Sequence, residues 1–145
     1  FPQGKQQIVA EALTIYAQRV SEFIEESMRR RKQPQDKLIA LFSAFAKRVE
    51  DAGFLQSCAV GTVSLDLDAS MDDLRPVLDA AFANWTQVIL DQLGLSDSRS
   101  NKAFAGLILT TIEGAYIRSR AEHSSLPFKE AGGMLTKLLP PMPAV

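Results

Sequence analysis

The amino-acid sequence predicts an all-α domain of six helices, and three observations carry that prediction. Five segments place apolar residues at the three-to-four spacing of one-sided helices. Pro34, Gly53, Gly94 and Pro140 punctuate those segments where helices start or stop. The one stretch open to a strand reading, Ser57 to Leu67, has no partner strand elsewhere, and a lone strand leaves its backbone unsatisfied.

Gln3 to Arg31 reads as one long helix. Ile8, Ala12, Ile15, Tyr16, Val20, Phe23, Ser27 and Met28 form its stripe, and Glu22, Glu25 and Glu26 lie outside it. Pro2 suits a helix start. The basic cluster Arg29 to Lys32 complements the dipole at the helix end. The second helix runs from Pro34 to Ala52 on Leu38, Leu41, Phe42, Phe45 and Val49, with Asp36 early, Lys47 and Arg48 late, and Gly53 as a left-handed stop. Phe54 to Ala69 is assigned a short helix. Asp72 to Leu93 is the next, with Pro76 tolerated early and a stripe of Leu74, Val77, Leu78, Ala81, Trp85, Val88 and Ile89, Phe82 at its edge and Gly94 at its stop. Ser96 to Ser98 is a loop that offers a cap to a fifth helix, Ser98 to Glu122. After a turn at His123 to Ser125, Leu126 to Leu139 is the sixth, with Pro127 in its first turn and Phe128, Ala131, Leu135, Leu138 and Leu139 inward. Pro140 to Pro143 forms the tail.

A chain of 145 residues, 46% hydrophobic and 23% charged, fits one domain. A net charge of -1 argues against a nucleic-acid surface on this piece. The single cysteine, Cys58, excludes an internal disulfide and fits the reducing cytoplasm. No membrane span or signal peptide is visible. The chain opens on Phe1 rather than methionine, which reads as part of something longer.

The fifth helix is apolar or small almost all round between Ala103 and Arg118. Phe104, Ile108, Thr111, Ile112 and Ala115 share a bulky face, whereas Ala103, Gly106, Thr110, Gly114 and Ile117 share a small one. Each glycine costs a helix about 1 kcal/mol relative to alanine, so close approach of another helix is expected there. A short chain has few helices left to supply it, so a second copy is the expected source. Gly132 and Gly133 place small residues on the last helix as well, and the two terminal helices are expected to pack together and against their twins. The expected interface comprises Gly106, Thr110, Glu113, Gly114, Ile117, Phe128, Gly132 and Leu135.

Catalytic signals are poor. His123 is the only histidine and lies in a polar turn. Cys58 reads as a small buried thiol, although a helix start lowers a thiol pKa and so admits a nucleophile. Metal-ligand pairs, a P-loop and GxGxxG are missing, so neither metal nor cofactor is expected. Asp66, Asp68, Asp72 and Asp73 make an acidic turn without EF-hand spacing. Glu113 is the one charge between Ala103 and Ile117; it suits either an interface rim or a ligand contact. Phe42, Phe45, Cys58, Phe82, Trp85, Ile89, Phe104, Ile108 and Ile112 are the candidate walls of an apolar cavity between helices, a common place for small-molecule sites.

Three stretches resemble the TetR/AcrR family of bacterial transcriptional regulators, and its LmrA/YxaF-like multidrug-responsive subgroup in particular. Phe1 to Leu13 resembles the exit from the DNA-binding helix-turn-helix into the fourth helix. Gly53 to Leu67 resembles the subgroup's stretch between the fifth and sixth helices, and Leu107 to Ala115 resembles the eighth. The resemblance implies a regulatory domain, residues 1–145, whose DNA-binding head is absent from this chain. It further implies a homodimer through the last two helices, a small apolar or aromatic effector, and operator DNA met only through the head. A helical dimeric interaction module without a pocket is the alternative.

Overall fold

Six α-helices account for the fold of this chain, in a computed structural model that describes residues 4–142. They are α1 (Lys5–Arg29), α2 (Pro34–Asp51), α3 (Ala59–Leu65), α4 (Arg75–Leu93), α5 (Arg99–Glu122) and α6 (Leu126–Thr136), with a 3₁₀ turn at Ala69–Leu74. Phe1, Pro2 and Gln3 of the expected helix start, and Pro143 of the tail, lie outside the described residues. The five long helices close a ring in which α1 packs on α2, α2 on α6, α6 on α5, α5 on α4, and α4 on α1. Short α3 rests on α1 and α4.

The element boundaries follow local chemistry. α1 ends at Arg29, short of the expected Arg31, because four residues are needed to turn the chain before Pro34. Lys37 Nζ donates to the Met28 carbonyl at 3.2 Å and so covers one of the orphan acceptors of that end. Gly53 and Gly94 adopt left-handed φ values of 64° and 70° as the helix stops α2 and α4 require. Ser98 caps α5 by accepting from the Asn101 amide at 3.1 Å. The expected start of α4 at Asp72 is corrected to Arg75, since Asp72 and Asp73 belong to the 3₁₀ turn, where Asp72 pairs with Arg75 at 2.9 Å.

The stripe expected on α1 is corrected as well. Ile8, Ala12 and Ile15 are exposed, and the buried positions are Leu13, Val20, Ser21, Ile24 and Met28. Trp85 and Ile89 of α4, Leu41 and Phe42 of α2, Ile108 and Ile112 of α5, and Phe128 of α6 fill the interior of the ring. Trp85 Nε1 donates to the Ala17 carbonyl at 2.9 Å and Asn84 Nδ2 to Ser21 Oγ at 2.6 Å, which joins α4 to α1. Across the α2–α6 seam the Glu50 carboxylate accepts from Ser125 Oγ and pairs with Lys129 at 3.1 Å; these contacts hold its carboxyl below the usual range.

The glycine doublet of α6 divides between two neighbourhoods, because consecutive helical residues point about 100° apart. Gly132 is buried against α2, where an added Cβ would lie 2.7 Å from Phe42 Cβ. Gly133 is exposed, with nothing near an added Cβ. Gly132→Ala is therefore expected to force α6 off α2. Overpacking costs about 1–3 kcal/mol, and the roughly 1 kcal/mol gained in helix propensity offsets only part of it. Gly133→Ala has no such clash. A thermal melt in which the two variants shift alike would contradict this difference.

Candidate functional site

Where α3 and α4 meet the outer half of α5, the helices leave a cleft of about 390 Å³, lined by Ser57, Cys58, Gly61, Thr62, Ser64, Leu65, Phe82, Glu113, Tyr116, Ile117 and Arg120. Local sequence explains its shape. α3, Ala-Val-Gly-Thr-Val-Ser-Leu, carries no charge and has a glycine at its third residue. Cys58 is its N-cap, and the sulfur accepts from the Gly61 amide at 3.5 Å. Gly61 lets the Glu113 carboxylate approach so closely that an added Cβ would collide with it. Behind Cys58, Glu113 and Tyr116 lies a residual void of only about 10 Å³, bordered by Tyr16, Phe45, Trp85 and Ile112. These three side chains thus separate the cleft from a filled core.

The floor is a cluster of titratable groups, with Cys58 and Tyr116 buried and Tyr16 and Glu113 half-buried. Burial, helped by the nearby Glu113 charge, pushes the Cys58 thiol up to about 12. The expectation that a helix start could activate this thiol is corrected: desolvation outweighs the dipole of a seven-residue helix. Burial likewise raises the Tyr16 and Tyr116 hydroxyls, and Tyr16 is held beside Cys58 and the Ala59 backbone. Burial, opposed in smaller measure by Cys58, holds the Glu113 carboxyl above the ordinary carboxylate range. A raised folded-state pKa means that the native state keeps a proton that the unfolded chain has released, so stability falls as pH rises from 4.5 through the raised value. Cys58, Tyr16 and Tyr116, the titratable groups around it, stay neutral over that window. Glu113→Gln is expected to melt with the wild type near pH 4 and above it at pH 8, by about 2–4 °C for each kcal/mol recovered. Melts that coincide at pH 8 would contradict this.

Of the expected cavity residues, Cys58 and Phe82 line the cleft. Phe45, Trp85 and Ile112 reach only the residual void. Phe42, Ile89, Phe104 and Ile108 are core, and Phe42 is spent on Gly132. Ser57, Gly61, Thr62, Ser64, Leu65, Tyr116 and Arg120 were not anticipated. Their signal was faint: an uncharged seven-residue helix with a glycine, opposite a lone glutamate.

The expected interface set also divides. Gly106, Thr110, Gly114 and Ile117 lie on the outward side of α5, and an added Cβ at either glycine meets nothing within 4 Å. Glu113 is corrected to the cleft, since α3 covers α5 at its height. Phe128, Gly132 and Leu135 are corrected to the interior of one protomer, being buried among α2, α5 and α6, with no surface left for a second copy. The outward side of α6 instead shows Leu126, Gly133 and Met134 at 59% exposure, and Leu138 in the turn beyond its end is exposed at 61%. Leu107 and Ile117 of α5 are likewise exposed apolar side chains.

A wider groove of about 720 Å³ lies between the end of α1 and α2, and its walls carry Glu26, Arg30, Arg31, Asp36 and Lys47. Mixed charge on open helix surfaces gives it little means of enclosing an apolar molecule. Among the described residues no cluster of three or more His, Cys, Asp or Glu could hold a metal ion, and no helix is long and apolar enough to cross a membrane.

Comparison with known proteins bears on the whole arrangement. A family model described as the C-terminal domain of LmrA/YxaF-like transcriptional regulators matches residues 34–134. The chain is 23% identical over 142 residues to the HTH-type transcriptional regulator LmrA of Bacillus subtilis (strain 168), covering 96% of this chain and 75% of that protein. It is 24% identical over 130 residues to the uncharacterized HTH-type transcriptional regulator YxaF of the same strain, covering 88% and 68% respectively. Its fold is shared by a TetR transcriptional regulator from Chloroflexus aurantiacus J-10-FL, with a TM-score of 0.72 at 20% identity over 93% of this chain and 72% of that one.

Proposed function

This chain belongs to the LmrA/YxaF-like family of transcriptional regulators, as that family's C-terminal domain, and we propose that it is the effector-sensing and dimerising domain of a repressor. The observation that carries the reading is the placement of α5 between a cleft and an open surface. One edge of this helix supplies Glu113, Tyr116, Ile117 and Arg120 to the cleft, and the adjoining side, through Gly106, Thr110 and Gly114, is left uncovered. A ligand that repositions α5 therefore acts on the seam between two copies. The cleft lies within the roughly 300–1,000 Å³ of small-molecule sites, and Leu65, Phe82, Tyr116 and Ile117 suit an apolar or aromatic effector.

The route outward runs through α1. Tyr16 of α1 sits against Cys58 and Ala59 at the start of α3, so a guest that wedges α3 from α5 also loads α1. In this reading the operator is met by residues outside this chain, mounted on the start of α1. An effector shifts the two arrangements only by its differential affinity for them; a tenfold preference corresponds to about 1.4 kcal/mol.

The test is binding of a neutral aromatic reporter, N-phenyl-1-naphthylamine. Saturable uptake at one site per protomer is expected, and Gly61→Ala is expected to weaken it about tenfold or more by pushing the Glu113 side chain into the cleft. The atom that must yield is the end of a flexible side chain, and alanine favours the helix by about 1 kcal/mol, so the variant should melt no lower than the wild type. A reporter that never saturates, or binds both proteins alike, would favour an interaction module without a pocket.

A further inference from the structure

Glu113, half-buried in the cleft, lacks a countercharge. Among the described residues no lysine or arginine pairs with it: the ion pairs are Arg29–Glu26, Lys47–Asp51, Arg75–Asp72, Arg118–Glu122 and Lys129–Glu50. Its own helix cannot supply a cation, because the residues three and four positions away are Leu109, Thr110, Tyr116 and Ile117. α3 opposite carries no charge, and α4 presents Phe82. Arg120, the one cation lining the cleft, donates to the Leu55 carbonyl at 3.1 Å. Cys58 gives Glu113 a hydrogen-bond partner but no countercharge; a carboxylate withdrawn from water without one is costly, and Glu113 is withdrawn into a concavity that opens outward rather than into a sealed core.

We propose that the effector of this cleft is a lipophilic monocation, an aromatic or aliphatic skeleton bearing one protonated amine that pairs with Glu113. The proposal rests on the ligand-binding reading above and narrows its chemistry. An ammonium donating to the carboxylate makes a charge-assisted hydrogen bond, and the faces of Phe82 and Tyr116 add cation–π attraction beside it. Leu65 and Ile117 then cover the apolar part. Arg120 repels a second positive charge, which limits the guest to one, and Glu113 rejects a carboxylate placed at the same depth. Burial already holds Glu113 above its ordinary range, as fits a group whose countercharge arrives with the guest.

Three probes of one shape separate the possibilities: 4-biphenylmethylamine, 4-biphenylmethanol and 4-biphenylcarboxylate, titrated calorimetrically at pH 7 into the wild type and Glu113→Gln. The amine is expected to bind the wild type about tenfold tighter than the alcohol, the difference between a charge-assisted and a neutral hydrogen bond. The carboxylate is expected to bind weakest. In Glu113→Gln the amine should fall to within about threefold of the alcohol. If the alcohol equals the amine on the wild type, or the amine's advantage survives in Glu113→Gln, the cation is refuted while the pocket stands. If none of the three binds at millimolar concentration, the pocket reading falls and the cation with it.

Discussion

Arginine in place of Gly114 is expected to convert a dimer into a well-folded monomer. Gly106 and Gly114 stand two turns apart on the outward side of α5, with Thr110 between them, its hydroxyl turned back to the Gly106 carbonyl at 3.0 Å. Inside one protomer neither glycine is needed, since an added Cβ meets nothing within 4 Å at either position. Each nonetheless weakens the helix by about 1 kcal/mol relative to alanine. In the proposed dimer a second α5 drawn close would account for that cost, and the exposed Leu107, Ile117, Leu126, Met134 and Leu138 would supply apolar surface for the contact. Because the site is open, arginine there disturbs no contact within the fold. In the seam it is a long unpaired cation, and burying one costs about 3–5 kcal/mol. The dissociation constant should therefore rise at least about a hundredfold. Sedimentation at micromolar concentration reads the change, with helical circular dichroism as the control. A wild type that sediments as a monomer, or a variant that still dimerises, would refute the proposed interface.

The largest loss of stability is expected from Trp85→Ala. The indole is buried, lies edge-on to Tyr16 with centroids 6.4 Å apart and to Phe82 at 5.6 Å, and bonds Ala17 of α1. Truncating an aromatic residue of this kind costs about 3–5 kcal/mol, part of it from the cavity left behind. At about 2–4 °C per kcal/mol, the melting temperature should drop by roughly 6–20 °C. Trp85→Phe keeps most of the volume but loses the bond to Ala17, and should fall between the two. Trp85 also backs Phe82, which lines the cleft, so the phenylalanine variant should bind N-phenyl-1-naphthylamine more weakly than the wild type. An alanine variant within about 2 °C of the wild type would show that the core does not depend on this residue as argued.

Glu113 shows why part of the site escaped the sequence. At about 100° per residue it falls within about 20° of Gly106, so periodicity groups the two on one face. They differ in height by about 10 Å, at 1.5 Å per residue. α3 crosses α5 at the height of Glu113, and nothing crosses it at Gly106. Which segment covers which turn is a long-range fact, and no local pattern contains it. The doublet in α6 is a similar case: composition marks two small residues, and only the position of α2 says that Gly132 admits Phe42 and Gly133 faces out. On α1, Ile8 and Ile15 read as inward by type, but Leu13 and Ile24 are buried: those two lie about 20° apart round the helix, on the side that α4 and α2 cover, whereas Ile8 and Ile15 stand about 140° and 160° from Leu13.

The chain by itself determined the helices and where they stop. Periodicity, the glycines at 53 and 94, and the prolines at 34 and 127 act within a few residues, where backbone sterics and hydrogen bonding are decided. It also marked the bulky face of α5, Phe104, Ile108, Ile112 and Ala115, which is buried in the fold, whereas its small face at Gly106 and Gly114 meets nothing within this chain. Tertiary structure alone decided that the hollow would open beside α3 rather than around Trp85, and that a carboxylate would form its floor. Packing fills an interior wherever side chains can interdigitate. Here the cleft forms where α3, through Gly61, meets Glu113 of α5, and that meeting depends on residues some fifty positions distant in the chain.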